Sequence, residues 1–194
     1  MVTSLSPDEP APVVGVIGSA RIREGDERWQ QARDLGSALG THGWQVMTGG
    51  YGGLMEAAAR GAHEAGAPVI GLPMRGWREL IPNRWCGELR WAEDYAERLR
   101  HLLGCDAVIA LAGGVGTLTE AAVTWSARQT EPDAAHLVLL GSHWRRLLDA
   151  FTAGLVVGPE DLQLVHLADD VGHAVRTVER LLRSGSLAQA HPRG

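Results

Sequence analysis

Short apolar runs alternate with stretches of helical spacing along almost the whole chain. Val13 to Gly18 is a β-branched run closing in Gly18-Ser19, the pattern of a parallel strand buried on both faces. From Asp26 to His42 the residues Trp29, Ala32, Leu35, Gly36 and Leu39 recur at intervals of three and four. Gly43 then stands where a helix ends. Trp44 to Thr48 predicts a second strand, Leu54 to Ala65 an alanine-rich helix, and Pro68 to Leu72 a third strand. Residues 73–90 show no periodicity. Helical spacing returns over Ala92 to Leu103, and Cys105 to Leu111 is the strongest strand signal in the chain. It runs into Gly113-Gly114-Val115-Gly116-Thr117 and a helix predicted over Leu118 to Arg128. Further strands are expected at His136–Leu140 and Leu162–Leu167, with helices over Trp144–Phe151 and Val171–Leu182.

Strands alternating with helices at this spacing mean βαβ units. The fold class is therefore α/β, a doubly wound, mostly parallel, Rossmann-like sheet with helices on both faces. No composition break interrupts it, so residues 13–184 are expected to form a single domain. Residues 1–12, rich in Ser, Pro and acid, form a loose lead, and residues 185–194 a frayed tail. The lead has neither a basic flank nor an apolar stretch of signal length, which predicts a cytoplasmic protein. No run reaches transmembrane length, so no membrane partner is expected.

Charge narrows the choice of partner. The formal net charge is −5 and the isoelectric point about 5.9, which speaks against nucleic-acid binding through a broad basic surface. All basic side chains are Arg, because the sequence contains no Lys. Chemistry that needs a pyridoxal phosphate lysine, such as lysine decarboxylation, is excluded. Cys86 and Cys105 are the only cysteines, and they indicate neither a disulfide framework nor a zinc site. The His residues stand apart from any metal-ligand spacing, so no metal is assigned. No Gly-x-Ser-x-Gly elbow suggests a serine hydrolase.

Three strand ends carry glycine: Gly18-Ser19, Gly49-Gly50-Tyr51-Gly52-Gly53, and Gly113-Gly114-Val115-Gly116-Thr117. In an open α/β sheet, ligands bind beyond the carboxyl ends of the strands, near the switch in strand order. Glycine there lets backbone N–H groups approach a ligand, and a following helix adds free donors and positive potential. The expected ligand carries a phosphate. No GxGxxG follows the first strand and no Walker loop is present. Thr117 has two readings, a phosphate-binding hydroxyl or an ordinary N-cap. Glu120 also has two: a polar catalytic group in the crevice, or the acidic partner of a Thr117–Glu120 capping box.

The segment Gly113-Gly114-Val115-Gly116-Thr117-Leu118-Thr119-Glu120 resembles the PGGxGTxxE motif of the Lonely Guy (LOG) proteins, once misassigned as lysine decarboxylases. Thr48 to Ala57 resembles their GGxxGLM segment, and Gly15 to Ser19 their first strand and turn. Asn83-Arg84-Trp85 and Glu97-Arg98-Leu99-Arg100 are similar to a bacterial subgroup, and the likeness spans about residues 13–150.

The resemblance implies a phosphoribohydrolase. Such an enzyme cleaves the N-glycosidic bond of a nucleoside 5′-monophosphate, AMP or an N6-modified AMP, to free base and ribose 5-phosphate. It also implies no cofactor and a homodimer in which both subunits build each pocket. Carried over by motif, Gly113, Gly114, Gly116 and Thr117 hold the phosphate, with Gly18, Ser19, Gly49, Gly50, Gly52 and Gly53 completing the nucleotide site. Glu120 and Arg98 are the catalytic pair. Ala112 replaces the family's proline, Leu99 stands where plant-type members have Lys, and the stretch from Arg98 to Asp106 is one residue short. That leaves Arg100 and Arg84 as alternatives to Arg98. The rival reading is a non-catalytic nucleotide or molybdenum cofactor carrier, since those carriers share the fold and glycine loops, as does a domain of the DNA-processing DprA proteins. Trp77, Trp85 and Trp91 flank the irregular segment, where they stack on a purine, pack a dimer interface or cover the sheet.

Overall fold

The computed structural model describes residues 10–77, 80–131 and 133–190. Seven parallel strands form one sheet: β1 (Val13–Ile17), β2 (Gln45–Thr48), β3 (Val69–Gly71), β4 (Glu88–Leu89), β5 (Ala107–Ala110), β6 (His136–Leu140) and β7 (Val165–Ala168), in the order β4-β3-β2-β1-β5-β6-β7. The chain winds outward from β1 to β4, returns to lay β5 on the other side of β1, and winds outward again. The switch point therefore lies between β1 and β5, whose register pairs Val14 with Ala107 and Ile17 with Ala110.

Helices α1 (Glu27–Thr41), α2 (Leu54–Glu64) and α7 (Val171–Ala190) pack on one face. Helices α3 (Tyr95–Leu103), α4 (Val115–Thr130) and α5 (Ser142–Gly154) cover the other. Val14 and Val16 point into the first layer and Ile17 into the second, so strands buried on both sides must be apolar throughout. The α1–α2 pair approaches closely because it meets at glycine. A Cβ on Gly36 would stand 2.0 Å from the Ala58 carbonyl oxygen, and one on Gly61 1.9 Å from that of Arg33.

Several elements differ from their sequence patterns for identifiable reasons. Helix α3 starts at Tyr95 rather than Ala92: Asp94 Oδ1 caps it by accepting from the Glu97 N–H at 2.8 Å, while Ala92 is held in a bridge with Met74. The segment 73–90 contains the edge strand β4, whose two residues are too few to show a period. The strand expected from Leu162 begins at Val165. The preceding residues form a helical turn, α6 (Pro159–Leu162), with Pro159 at its start and Asp161 Oδ2 accepting from the Gly158 N–H at 2.8 Å. Helix α4 begins three residues before the expected Leu118, inside the glycine loop itself. At the ends, Ala11 and Pro12 are joined to Gln45 by hydrogen bonds and α7 runs on to Ala190. The rest of the expected lead (1–9) and the end of the tail (191–194) lie outside the described residues. No helix among the described residues is long and apolar enough to cross a membrane.

His136, at the start of β6, has its pKa lowered from 6.5 to about 4 by burial, with Arg128 and His166 adding to the effect. The unfolded chain therefore binds a proton that the folded chain refuses. Stability is complete above about pH 6.5 and falls as pH drops toward 4, by up to roughly 3 kcal/mol at full burial and less for a half-buried ring. His136→Asn is expected to flatten this acid slope, which thermal melts between pH 4.5 and 7.5 would read; an unchanged slope refutes the assignment.

Candidate functional site

The carboxyl ends of β1, β2 and β5 meet at the switch point, bound through Ser19. Its N–H donates to the Ala112 carbonyl at 3.0 Å, and its own carbonyl accepts from the Leu54 N–H at 2.9 Å. Gly53 is pressed against this segment at φ +73°, with a Cβ position 2.3 Å from the Ser19 carbonyl oxygen. Asn83 pins the β2–α2 loop, donating from its backbone to Gly50 O at 2.7 Å and from Nδ2 to Tyr51 O at 2.9 Å.

The glycines of the rim divide into two kinds. Gly113 is required by packing, because a Cβ there would meet Thr117 Oγ1 at 2.1 Å; Gly49 is required because one would meet Arg98 Nη2 and Met55 Sδ at 2.5 Å. Gly18 is closely packed against Leu54 and Leu111, at 3.1 and 3.2 Å from their Cβ atoms. Gly114 and Gly116 have nothing within 4 Å of a Cβ position and no positive φ. Neither backbone conformation nor protein packing demands glycine at those two positions. Gly116→Ala is accordingly expected to leave the melting temperature unchanged or slightly raised, since alanine favours a helix by up to about 1 kcal/mol. The same change should weaken binding of a phosphate ester severalfold. Equal affinity in a calorimetric titration would show that this open space is not ligand space.

Gly114 is the N-cap of α4, and the first intrahelical bond runs from the Leu118 N–H to Gly114 O at 2.9 Å. The N–H groups of Val115, Gly116 and Thr117 precede that bond and point out of the helix end. Thr117 is thus the third helical residue and not an N-cap. Its side chain is buried over Gly113. The capping-box reading of Thr117 and Glu120 fails for the same reason: the frame is three residues out, and the Glu120 carboxylate goes elsewhere.

It goes to Arg98. Glu120 Oε1 accepts from Arg98 Nε at 3.2 Å and Nη2 at 3.0 Å, and both side chains are almost wholly buried. Arg98 Nη1 donates to Gly49 O at 3.3 Å and also to Leu72 O. One guanidinium therefore ties the ends of β2 and β3 to α4. Trp77 lies 5.8 Å from the guanidinium and Tyr51 5.8 Å from Trp77; the Tyr51 hydroxyl accepts from the Met74 N–H at 2.7 Å. Burial raises the Glu120 pKa above the usual 4.5, with Arg98 pulling the other way. Tyr95, raised by burial and by Glu120, is close to the pair. Glu120 Oε2 accepts no hydrogen bond from the described residues and is not among their fully enclosed polar atoms. This oxygen is the one left to meet a ligand.

The structure separates the three candidate arginines. Arg98 alone reaches Glu120, Arg100 is exposed on the opposite side of α3, and Arg84 lies 4.5 Å over the Trp85 ring, across the β2–α2 loop. Gly113 to Thr117, Gly18 with Ser19, and the Gly49–Gly53 loop follow the carboxyl ends of β5, β1 and β2 respectively. Tyr95, one turn before Arg98 on α3, belongs to no chemical pattern in the sequence. Trp125 packs against the second core and donates from Nε1 to Asp161 O at 2.8 Å. Trp91 stands under Arg75 at 5.7 Å.

The chain is similar to several known proteins. The model of the SLOG cluster4 family matches residues 11–131. An uncharacterized protein of Archaeoglobus fulgidus is 32% identical over 57% of this chain and 71% of its own. A probable cytokinin riboside 5′-monophosphate phosphoribohydrolase of Oryza sativa subsp. japonica is 30% identical over 66% of this chain, which spans only 58% of that protein. Among solved structures, the molybdenum cofactor carrier protein of Chlamydomonas reinhardtii superposes with a TM-score of 0.70 at 28% identity, covering 90% of this chain and 99% of the carrier.

Proposed function

The chain belongs to the SLOG cluster4 family, and from that premise we propose that it is a phosphoribohydrolase acting on a nucleoside 5′-monophosphate, AMP or an N6-modified AMP. The observation that carries this reading is the buried Arg98–Glu120 pair beside the open glycine rim, with one carboxylate oxygen left free. A site that only grips phosphate needs the helix N–H groups but has no use for a buried carboxylate.

In this reading the 5′-phosphate sits on the N–H groups of Val115, Gly116 and Thr117, in the space left by Gly114 and Gly116, where backbone donors and the helix dipole favour an anion. The ribose then lies over Glu120. As the bond from C1′ to the base nitrogen lengthens, the sugar gains oxocarbenium character, and a fixed carboxylate nearby stabilises that charge. Water adds to C1′, its proton passes to Glu120 or the solvent, and the base departs with a proton to balance its own charge. Arg98 does not touch the substrate. It holds the carboxylate in place and keeps it ionised against the pull of burial. The likeness to the rice phosphoribohydrolase supports the activity. A homodimer is part of the proposal; the exposed Trp77, Ile81 and Trp91 provide an apolar face for it.

A second reading has one observation in its favour. The likeness to the molybdenum cofactor carrier runs the length of both chains, whereas that to the rice protein does not. A carrier would use the same N–H groups without chemistry at Glu120. Incubation with AMP, N6-isopentenyl AMP and the other common monophosphates, followed by chromatography of the free base, tests the choice. Base release supports the hydrolase; binding of AMP without any base release rejects it and leaves the carrier.

A further inference from the structure

A second concavity opens on the α1–α2 side of the rim, with a volume of about 380 Å³, near the lower end of the range for small-ligand pockets. The backbone of Ser19 and Ala20, against which Gly53 is pressed, stands between it and the β5 end of the crevice. Its floor includes Gly53, at the outer part of the loop whose other end, Gly49, faces Arg98. The two hollows thus use opposite ends of one glycine loop.

The wall of this cleft is unusually well braced. Trp85 has the Arg84 guanidinium 4.5 Å and the Arg60 guanidinium 5.4 Å from its ring centre, and His63 at 5.6 Å. Arg60 also lies 5.7 Å from Trp29, on α1. The charge of Arg60 is already met by Glu64 at 2.9 Å and Glu24 at 3.0 Å. Those of Arg23 and Arg84 are not: neither has a carboxylate within 4.0 Å among the described residues, although both line the cleft. Glu56 is likewise without a cation partner. Its Oε2 and Arg23 Nη1 each stand 3.7 Å from the position a Cβ on Gly52 would occupy.

Each feature asks for a different part of a ligand. Two guanidiniums without a carboxylate partner favour a phosphate or carboxylate. The indole edge of Trp85, whose ring already carries Arg84 and Arg60 above it, offers an edge contact to a flat aromatic ring. A free carboxylate beside the floor accepts from a ring amino or N–H group. We propose that this cleft is a second binding site, separate from the Glu120 crevice, for an aminated heteroaromatic ring bearing an anionic group. The Trp85 edge meets the ring, Arg23 and Arg84 hold the anion, and Glu56 takes the N–H.

The test follows the indole N–H signals of Trp29 and Trp85 by NMR, assigned through Trp29→Phe and Trp85→Phe, while AMP is added as the probe. Both signals are expected to shift, and the shift should need about tenfold more AMP in the Arg23→Ala/Arg84→Ala double variant. Adenosine, lacking the anion, and ribose 5-phosphate, lacking the ring, should each act more weakly than AMP. Gly116→Asp, which puts a negative charge at the α4 N-terminus, should leave the response intact. The inference is overturned if millimolar AMP moves neither signal, if the double variant or adenosine responds like wild type with AMP, or if Gly116→Asp abolishes the shift. The last outcome would make the cleft the far end of the crevice. Base release plays no part in this readout, so failure of the hydrolase reading leaves it standing.

Discussion

Glu120→Gln is expected to lower base release from AMP by about 10³-fold while AMP still binds within a few-fold of the parent, the scale seen when one preorganised charge is removed from a transition state. Glutamine keeps the shape of the side chain and an oxygen that accepts from Arg98 Nε and Nη2. What it removes is the negative charge. A ground-state phosphate ester held on the α4 N-terminus gains little from that charge, whereas a sugar acquiring positive charge at C1′ depends on it. The loss should therefore fall on kcat rather than KM. The same carboxylate sets the acid limb of the parent's pH profile: because burial raises its pKa above 4.5, kcat/KM is expected to fall with acid already above that pH. A variant that releases base within threefold of the parent, with its melt intact, would reduce Glu120 to a structural counter-ion.

The parts of this protein that could be read from its sequence are those where a single physical demand sets the residue. A strand buried on both faces has to be apolar at every position, so Val13–Ile17, Ala107–Leu111 and Leu137–Leu140 announce themselves. The loop glycines could be found but not sorted. Gly113 serves Thr117, Gly49 serves Arg98, and only Gly114 and Gly116 stand in open space, a difference that depends on neighbours distant in the chain. The spacing of Thr117 and Glu120 satisfies a capping box and an ion pair equally well, and the helix start at Val115 decides between them.

The arginine could have been chosen by period. Arg98 stands four residues before Leu102, on the buried stripe of α3, and a charged residue on an apolar stripe calls for a partner. Arg100 lies off that stripe. The edge strand β4, two exposed residues long, follows from the position of β3 and not from its own composition.

Arg98→Met is expected to be the most destabilising single change at the site, costing about 3–5 kcal/mol, as when one member of a buried ion pair is removed. Methionine fills part of the space but donates nothing. The Glu120 carboxylate is then left buried without its cation, and the carbonyls of Gly49 and Leu72 lose a donor at the ends of β2 and β3. The penalty has a definite pH dependence. Arg98 is what lowers the Glu120 pKa against burial, so without it the folded-state pKa rises further above the unfolded value. Stability of the variant is then greatest below about pH 4.5, where Glu120 is protonated in both states, and is lost as pH rises through the raised folded value. Urea unfolding of Arg98→Met should thus show a larger deficit at pH 8 than at pH 5. Adding Glu120→Leu should restore much of the loss at pH 8, because two apolar side chains replace an uncompensated charge, yet base release should stay absent. A deficit below about 1 kcal/mol, or one equal at both pH values, would mean that solvent already reaches the pair. The carboxylate would then lack the dry surroundings in which it can act on a developing cation.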